Sequence, residues 1–459
     1  MPEPDASPPI ALAYQPRQKA TGIPIWVWGM VLLAVLLRVG FSLTMRSANP
    51  AALTALPDQY EYFDIADSIR SGQGIVLGDR FFEDSLYSYR MPAYPALIAL
   101  LRLDVQAVRY FQAVLDGTVI LAAFLAGQRL SGRSVGGLAA ALVAANPFLV
   151  YFSSLILTET LFTAMLAWAV LAMLSNSRRL QSVGVALLLA AVYVRPSAAG
   201  LGCVSAACLV LLNGGKRWWL RSALTFAVAF VGLVLLLLPW ALRNKAINGR
   251  LIWLTTNDGF TAYDSFNPKA DGSSNQADFR NELLLAHQTR IDQIYQERFG
   301  FSRPRPTTAP QGPDRHHVET IIVIHAEVER SDELSARAWQ YARENPGRVV
   351  SLAFAKLGRF WAPWPLSADF GGKWYYVAVG AVYTVPLFVF AAVGVWRGRM
   401  PWRAKLILLL PALYFSAVHS VFVGSLRYRV PCDVPLAVLA AAGVVSCVKS
   451  KEPIVGDVV

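Results

Sequence analysis

SALTFAVAFVGLVLLLLPW, residues 222–240, decides the fold. These nineteen residues carry no charge, and as a helix they reach about 28 Å, close to the ~30 Å hydrocarbon thickness of a bilayer. The same pattern recurs on both sides. Apolar blocks at 24–46, 107–127, 135–152, 155–173, 182–197, 198–212, 374–396, 405–422 and 433–448 bring the expected spans to ten. Of the 459 residues, 55% are hydrophobic and only 16% charged, against about 25% charged in a soluble domain. A water-soluble enzyme built on one core is excluded. The four cysteines include no pair with zinc-ligand spacing and do not make a disulfide scaffold.

The net charge of +12 suggests a nucleic-acid partner until the charges are placed. The loops 128–134, 174–181, 213–221 and 397–405 hold eleven Lys and Arg and no Asp or Glu. Such loops mark the cytoplasmic side of a membrane protein. The basic balance is therefore a topology signal, and nucleic acid is not an expected partner. Both chain tails fall on the same side, which gives an N-in, C-in protein of the cell (inner) membrane. The block at 24–46 is too long for a signal peptide and has Arg38 embedded, so it reads as an anchor. The expected organisation is a cytoplasmic tail (1–23) and a transmembrane module (24–240) with a first outer loop at 47–106. A large outer loop (241–373) and a C-terminal transmembrane module (374–459) follow. No internal repeat or P-loop is visible. Pro92–Leu103 is too short to span and reads as an interfacial helix; 346–364, with Lys356, Arg359 and three aromatics, reads as a second.

Within the first outer loop, PDQYEYFDIADSIRSGQG (57–74) predicts a helix opened by Pro57 and closed by Gly72. At 100° per residue, Asp58, Tyr62, Ile65 and Ile69 share one face, and Asp64 and Asp67 lie opposite as solvated acids. Asp58 on the inward face is a candidate general base, its pKa raised by burial, or else a carboxylate that caps the first turn. Charged residues inside the membrane segments are functional candidates by default: Arg38, Asp116, Glu159 and Arg195. Glu159 and Arg195 fall near the outer helix ends, with Arg243, Arg427 and Arg429 just beyond the next spans. Structural pairing between helices is the alternative reading, foremost for Arg38 and Asp116. Arginines gathered at the outer surface suit phosphate recognition.

These residues resemble a family. Asp58 with Tyr62 and Ile65-Ala66, then YRMPAYP (89–95), LTETLF (157–162), LPWALRNKAINGRLIWLTTNDGFTAYDSFNP (238–268) and SLRYRVPCDVP (425–435), resemble the GT-C membrane glycosyltransferases. The branch is that of protein O-mannosyltransferases and the lipid A aminoarabinose transferase. The resemblance runs over most of the chain in the family's order, and the PW-x-x-RN run is its most specific part. It implies an all-α polytopic fold of GT-C type, with about ten transmembrane helices, two large outer loops and interfacial helices. It also implies a sugar taken from a polyprenyl-phosphate donor and passed to a hydroxyl of a lipid, glycan or protein.

The family's first-loop base is matched by Asp58, and Glu159 is the second catalytic candidate. Tyr62, Arg90, Arg195, Arg243, Asn244, Tyr263, Arg427 and Arg429 are the candidate substrate-binding residues. Tyr62, Tyr263 and Trp240 are candidates to stack on or bond to sugar faces, with interfacial belt aromatics the alternative reading. The chain departs from the best-known members at Gln59, where an acidic pair with Asp58 is common, and at Arg90-Met91-Pro92. A divalent metal is a possible cofactor, with Glu83, Asp84 and His419 as scattered ligand candidates. The rival class is a multi-pass transporter or lipid flippase, which needs polar groups at the midplane and shows repeated halves. Asp116 suits the first condition and nothing in the chain suits the second.

Overall fold

The computed structural model describes residues 22–45, 57–79, 84–214, 217–274, a few positions between 289 and 300, 313–367 and 371–449. Most of the N-terminal tail, Glu83 and the proline-rich stretch up to residue 312 lie outside the described residues. Apart from one two-stranded hairpin, the described elements are helical, and the chain is an all-α polytopic membrane protein.

Helix α1 (Ile25–Thr44) leads to helix α2 (Pro57–Arg70), the hairpin β1 (Leu77–Asp79) and β2 (Asp84–Leu86), and the short α3 (Ala93–Leu100). The apolar helices α4 (Val105–Ser131), α5 (Arg133–Ala144), α6 (Pro147–Ser153), α7 (Glu159–Met173), α8 (Arg178–Ala190), α9 (Leu201–Asn213) and α10 (Trp218–Asn248) follow. The segment between the apolar helices α10 and α14 carries α11 (Asn257–Ser265), α12 (Pro313–Glu344) and α13 (Pro346–Phe360). Helices α14 (Trp374–Arg397), α15 (Trp402–Val421), the single turn α16 (Leu426–Arg429) and α17 (Asp433–Lys449) complete the bundle.

All ten apolar blocks fold as helix, but they differ in length. Among the described residues, six stretches are long and apolar enough to cross: α1, α4, α10, α14, α15 and the run 426–448. A seventh is added if α5 and α6, bent by 53°, count as one. Helices α7, α8 and α9 have 15, 13 and 13 residues and reach about 20–23 Å, less than the hydrocarbon thickness. The ten-span count treated an apolar run and a full crossing as the same thing, and here they separate.

The bend between α5 and α6 has a physical cause. Asn146 accepts hydrogen bonds from Phe148 N (2.9 Å) and Leu149 N (3.2 Å), and Pro147 opens α6. Carbonyls at the end of α5 are also met by Arg38 of α1, which donates to Ala144 O (3.3 Å) and Val143 O (3.4 Å). Arg38 also pairs with Asp116 of α4, and both are buried. Small residues set the closest approaches. A Cβ on Gly394 of α14 would overlap Leu439 O of α17, and one on Gly443 would overlap Phe390 O.

Helix α3 is shorter than the interfacial helix expected over Pro92–Leu103, and it is packed in. Tyr94 and Ile98 are fully buried, and the Tyr94 hydroxyl donates to Gln112 Oε1 of α4 (2.7 Å). The chain turns into α4 through Arg102 and Leu103, both in the left-handed region at φ 61° and 62°. Asp104 then caps α4. Helix α13 has the two-faced character expected of an interfacial helix: Leu352, Lys356 and Phe360 point inward, while Val350 and Phe354 are exposed.

Candidate active site

Helix α2 is seated through its inner face, where Tyr62 and Ile65 are buried and Tyr62 meets the Tyr94 ring edge-on. Gln59, also buried, accepts a hydrogen bond from Ile156 N (2.8 Å), tying α2 to the segment that leads into α7. That segment is fixed from the other side by α4. Arg109 Nε donates to Ser154 O (2.9 Å), and Gln112 Nε2 donates to Ser153 O (2.9 Å) and Leu155 O (2.7 Å). The result places the first turn of α2, with Asp58, beside the first residue of α7, Glu159.

Six side chains form an alternating line of charge. Arg90, between β2 and α3, places Nη2 at 2.7 Å from Asp58 Oδ1 and 2.5 Å from Glu61 Oε2. Arg427 of α16 places Nη1 at 2.6 Å from Asp58 Oδ2, and its Nε pairs with Glu159 Oε1. Arg195 Nη2 reaches the same Glu159 oxygen at 3.2 Å. The order is Glu61, Arg90, Asp58, Arg427, Glu159, Arg195, with three charges of each sign. The Asp58 side chain is 31% exposed and that of Glu159 is 1% exposed, so the line runs from an open mouth into the bundle. Aromatic faces line it: Arg90 lies over Tyr62 and Tyr89, and Arg195 over Phe162 and Tyr428. At the buried end Glu159 Oε2 has no hydrogen-bond partner.

This geometry corrects the expected electrostatics of Asp58. Burial alone would raise its pKa, but the guanidinium groups of Arg90 and Arg427 outweigh burial and hold the carboxyl well below the usual carboxylate range. Asp64 is corrected too. It is not a free solvated acid: it accepts Tyr60 OH at Oδ1 (3.0 Å) and Gly78 N at Oδ2 (2.7 Å), and so holds β1 against α2. Asp67 is exposed, as the helical wheel requires.

The structure separates the remaining candidates from this line. Arg243 donates to Tyr87 O, to Ile75 O (2.7 Å) and to Asn244 Oδ1 (2.9 Å), and so braces the loop around the hairpin. Its Nη1 and Nη2 groups face carbonyl oxygens of this loop and of Asn244 rather than the carboxylates of the line. Asn244 belongs to the same brace, accepting Ser88 Oγ (3.0 Å) and donating to Ile252 O (2.9 Å). Trp240 donates to Leu254 O (2.7 Å) and is buried, which takes it away from a sugar face. Arg429 is fully buried, bonded to Asp433 Oδ1 (3.2 Å) and Ala362 O (2.6 Å), and is a structural cation. Tyr263 packs against the apolar cluster of Ala262, Phe266, Ala338 and Leu352. Arg38 and Asp116 form the structural pair that was the alternative reading for them.

A divalent metal does not fit the donors on view. Among the described residues no group of three or more His, Cys, Asp or Glu could hold one. The carboxylates of Asp58, Glu61 and Glu159 are each paired with arginine. His419 has Nδ1 on Val423 O (2.8 Å) and is stacked on Tyr428. Glu83 and the Asp84 side chain lie outside the described residues. No step is derived through a metal.

Three residues were missed in the sequence. Glu61 could have been found, since it lies one helical turn from Asp58 on the same side. Glu327 could not. From α12 it accepts Tyr87 N (2.7 Å), Ser88 N (3.0 Å) and Thr256 Oγ1, and burial pushes its carboxyl up. Lys356 is buried rather than interfacial, donating to Val421 O (2.5 Å) 4.0 Å above the Phe266 ring, and burial pulls it down to about 8.

No family model matches this chain, and no curated protein matches it. Solved structures do. The chain is similar to ArnT from Cupriavidus metallidurans bound to undecaprenyl phosphate, with 15% identity, a TM-score of 0.41, and 91% of this chain and 78% of that one covered. It is also similar to the archaeal oligosaccharyltransferase AglB from Archaeoglobus fulgidus in complex with an inhibitory peptide and a dolichol-phosphate. There the identity is 14% and the TM-score 0.47, with 95% of this chain and 53% of that one covered, so the chain spans about half of AglB. Identities this low leave the role of each residue to be argued from the side chains themselves.

Proposed function

We propose that the protein is a glycosyltransferase moving a hexosyl or pentosyl group from a polyprenyl-phosphate-linked donor to an acceptor hydroxyl on the outer face of the membrane. The observation that carries this reading is the position of Asp58, a carboxylate at an open mouth held between Arg90 of the first outer loop and Arg427 at the start of the last apolar helix. The sequence resemblance to GT-C enzymes supports it. In the proposed reaction the donor's lipid lies in the bilayer and its phosphate meets Arg427 and Arg195. The acceptor hydroxyl enters from the Asp58 side, which faces the periplasm or exterior. Asp58 takes the hydroxyl proton while the oxygen attacks the anomeric carbon. The bond from that carbon to the phosphate oxygen breaks, and the phosphate leaves with the electron pair, stabilised by the two arginines. The product is inverted. A transporter reading gains nothing from the interior, because Asp116, its midplane acid, is spent on Arg38.

The test is consumption of polyprenyl-phosphate sugars by the purified protein in lipid nanodiscs, beside mass spectrometry of envelope glycans from cells with and without it. If no such donor is consumed and the glycans are unchanged, this function is wrong.

A further inference from the structure

Asp58 has a cation on each of its oxygens, Arg90 at Oδ1 and Arg427 at Oδ2. A base in that state is occupied, and its affinity for a proton is low. We propose, resting on the function above, that Asp58 is masked in the free protein and is released when the donor's phosphate takes Arg427. The base would then become competent only with donor in place.

Several features favour this exchange at Arg427 over any other point of the line. Arg427 alone bridges the open and the buried halves, through Nη1 to Asp58 and Nε to Glu159. A phosphate needs such a fork, because guanidinium binds oxyanions best through two parallel N–H donors. Of the two carboxylates on Arg427, Asp58 is the one that can yield. It keeps Arg90 when Arg427 leaves, and its side chain is 31% exposed, so the open oxygen is not stranded in an apolar wall. Glu159, at 1% exposure, has no such outlet. Arg90 is itself tied to Glu61, so Asp58 stays in place while Oδ2 opens toward the mouth. That is the oxygen an acceptor proton would meet.

The charges point the same way. The six-residue line is neutral, so an arriving phosphate adds negative charge beside Asp58 as it removes one of the two cations. Both changes raise the proton affinity of the carboxylate. When the product lipid phosphate leaves, Arg427 returns and the base is quenched.

The test uses the full chain in nanodiscs, with and without undecaprenyl phosphate, and labels carboxyl groups with a carbodiimide and an amine at mildly acidic pH. Carbodiimide reacts with the protonated carboxyl, and peptide mass spectrometry reads Asp58 against the exposed Asp67. The expected result is several-fold more Asp58 labelling with the lipid and no change at Asp67. Arg427→Gln should label at Asp58 with or without it. Inorganic phosphate in place of the lipid separates the sources: labelling with the free anion alone keeps the unmasking but makes the anion sufficient. Native mass spectrometry separates the two failures. Lipid bound with Asp58 labelling unchanged overturns the masking and leaves the function standing; no lipid bound overturns both. An unlabelled Asp58 in Arg427→Gln overturns the masking on its own.

Discussion

Arg38–Asp116 and Arg429–Asp433 lie inside the helical bundle, while the line from Glu61 to Arg195 lies at its mouth, and the two regions use the same residue types differently. The interior arginines give one donor to a carboxylate and others to backbone carbonyls: Ala34, Val143 and Ala144 for Arg38, and Ala362 for Arg429. Arg243, at the hairpin loop, also gives its donors to carbonyl oxygens, those of Tyr87, Ile75 and the Asn244 amide. At the mouth, the network bonds of Arg90, Arg195 and Arg427 all go to carboxylates. A cation bonded to carbonyls holds a helix end and cannot leave without exposing the break. A cation bonded to carboxylates can exchange one anion for another. Exchange of one anion for another is therefore open to the arginines of the mouth and closed to those of the interior.

The comparison breaks first at Asp58. Asp58→Asn keeps the size of the side chain but cannot accept the proton, and donor turnover should fall by about 10²–10⁴-fold. Thermal stability should change far less than activity. Turnover near that of the unaltered protein would place the base elsewhere on the line, with Glu159 the next to test.

The interior should respond in stability instead. Asp116→Leu leaves Arg38 buried without its counter-charge, and should cost about 3–5 kcal/mol in detergent unfolding. The double variant Arg38→Met with Asp116→Leu should recover most of that loss, because it removes both charges together. Equal damage in the single and double variants would mean that the Arg38 contacts to Val143 and Ala144 matter more than the pair.

A smaller effect sharpens the distinction at Arg427. Arg427→Lys keeps the charge and loses the fork, so apparent donor affinity should weaken by roughly 10–100-fold, the worth of one or two charge-assisted hydrogen bonds. Arg243→Lys should leave donor affinity alone and lower stability, since its bonds go to the hairpin loop. Matching effects in the two would erase the difference between carbonyl-bound and carboxylate-bound arginines.

Much of this was legible in the sequence. The ten apolar blocks were found, as were the helix at 57–74 and the helix within 346–364, because periodicity and composition report burial directly. Asp58, Arg90, Glu159, Arg195 and Arg427 were singled out, and the structure brings them together. The sequence could not sort the arginines. Arg243, Arg427 and Arg429 all stand at outer helix ends, and only the partner of each nitrogen tells a brace from an exchangeable cation. Asp58 was misjudged for the same reason, since a helical wheel shows burial but not the cation on each oxygen. Helix lengths were overread where a short helix and a full span share one composition.

The smallest predicted effect concerns the two carboxylates whose environments pull in opposite directions. Glu327 is raised by burial, so its contribution to stability is fully present below the ordinary glutamate value near ~4.3 and is lost as pH rises through its folded value. Asp58 is lowered by its arginines, so its contribution is present above the ordinary aspartate value near ~3.9 and is lost only as pH falls through its folded value. As pH rises through the folded value of Glu327, Asp58 therefore does not titrate. The unfolding midpoint should drift down as pH rises through that value. Glu327→Gln carries no charge to lose and should flatten that drift. Arg330 and Arg243 face Glu327 and stay cationic throughout, so neither supplies the slope. Asp258, also raised by burial, adds a second increment that survives in the variant. Differential scanning fluorimetry of both proteins across that range decides it: parallel curves would show that Glu327 holds the outer segment without changing its charge.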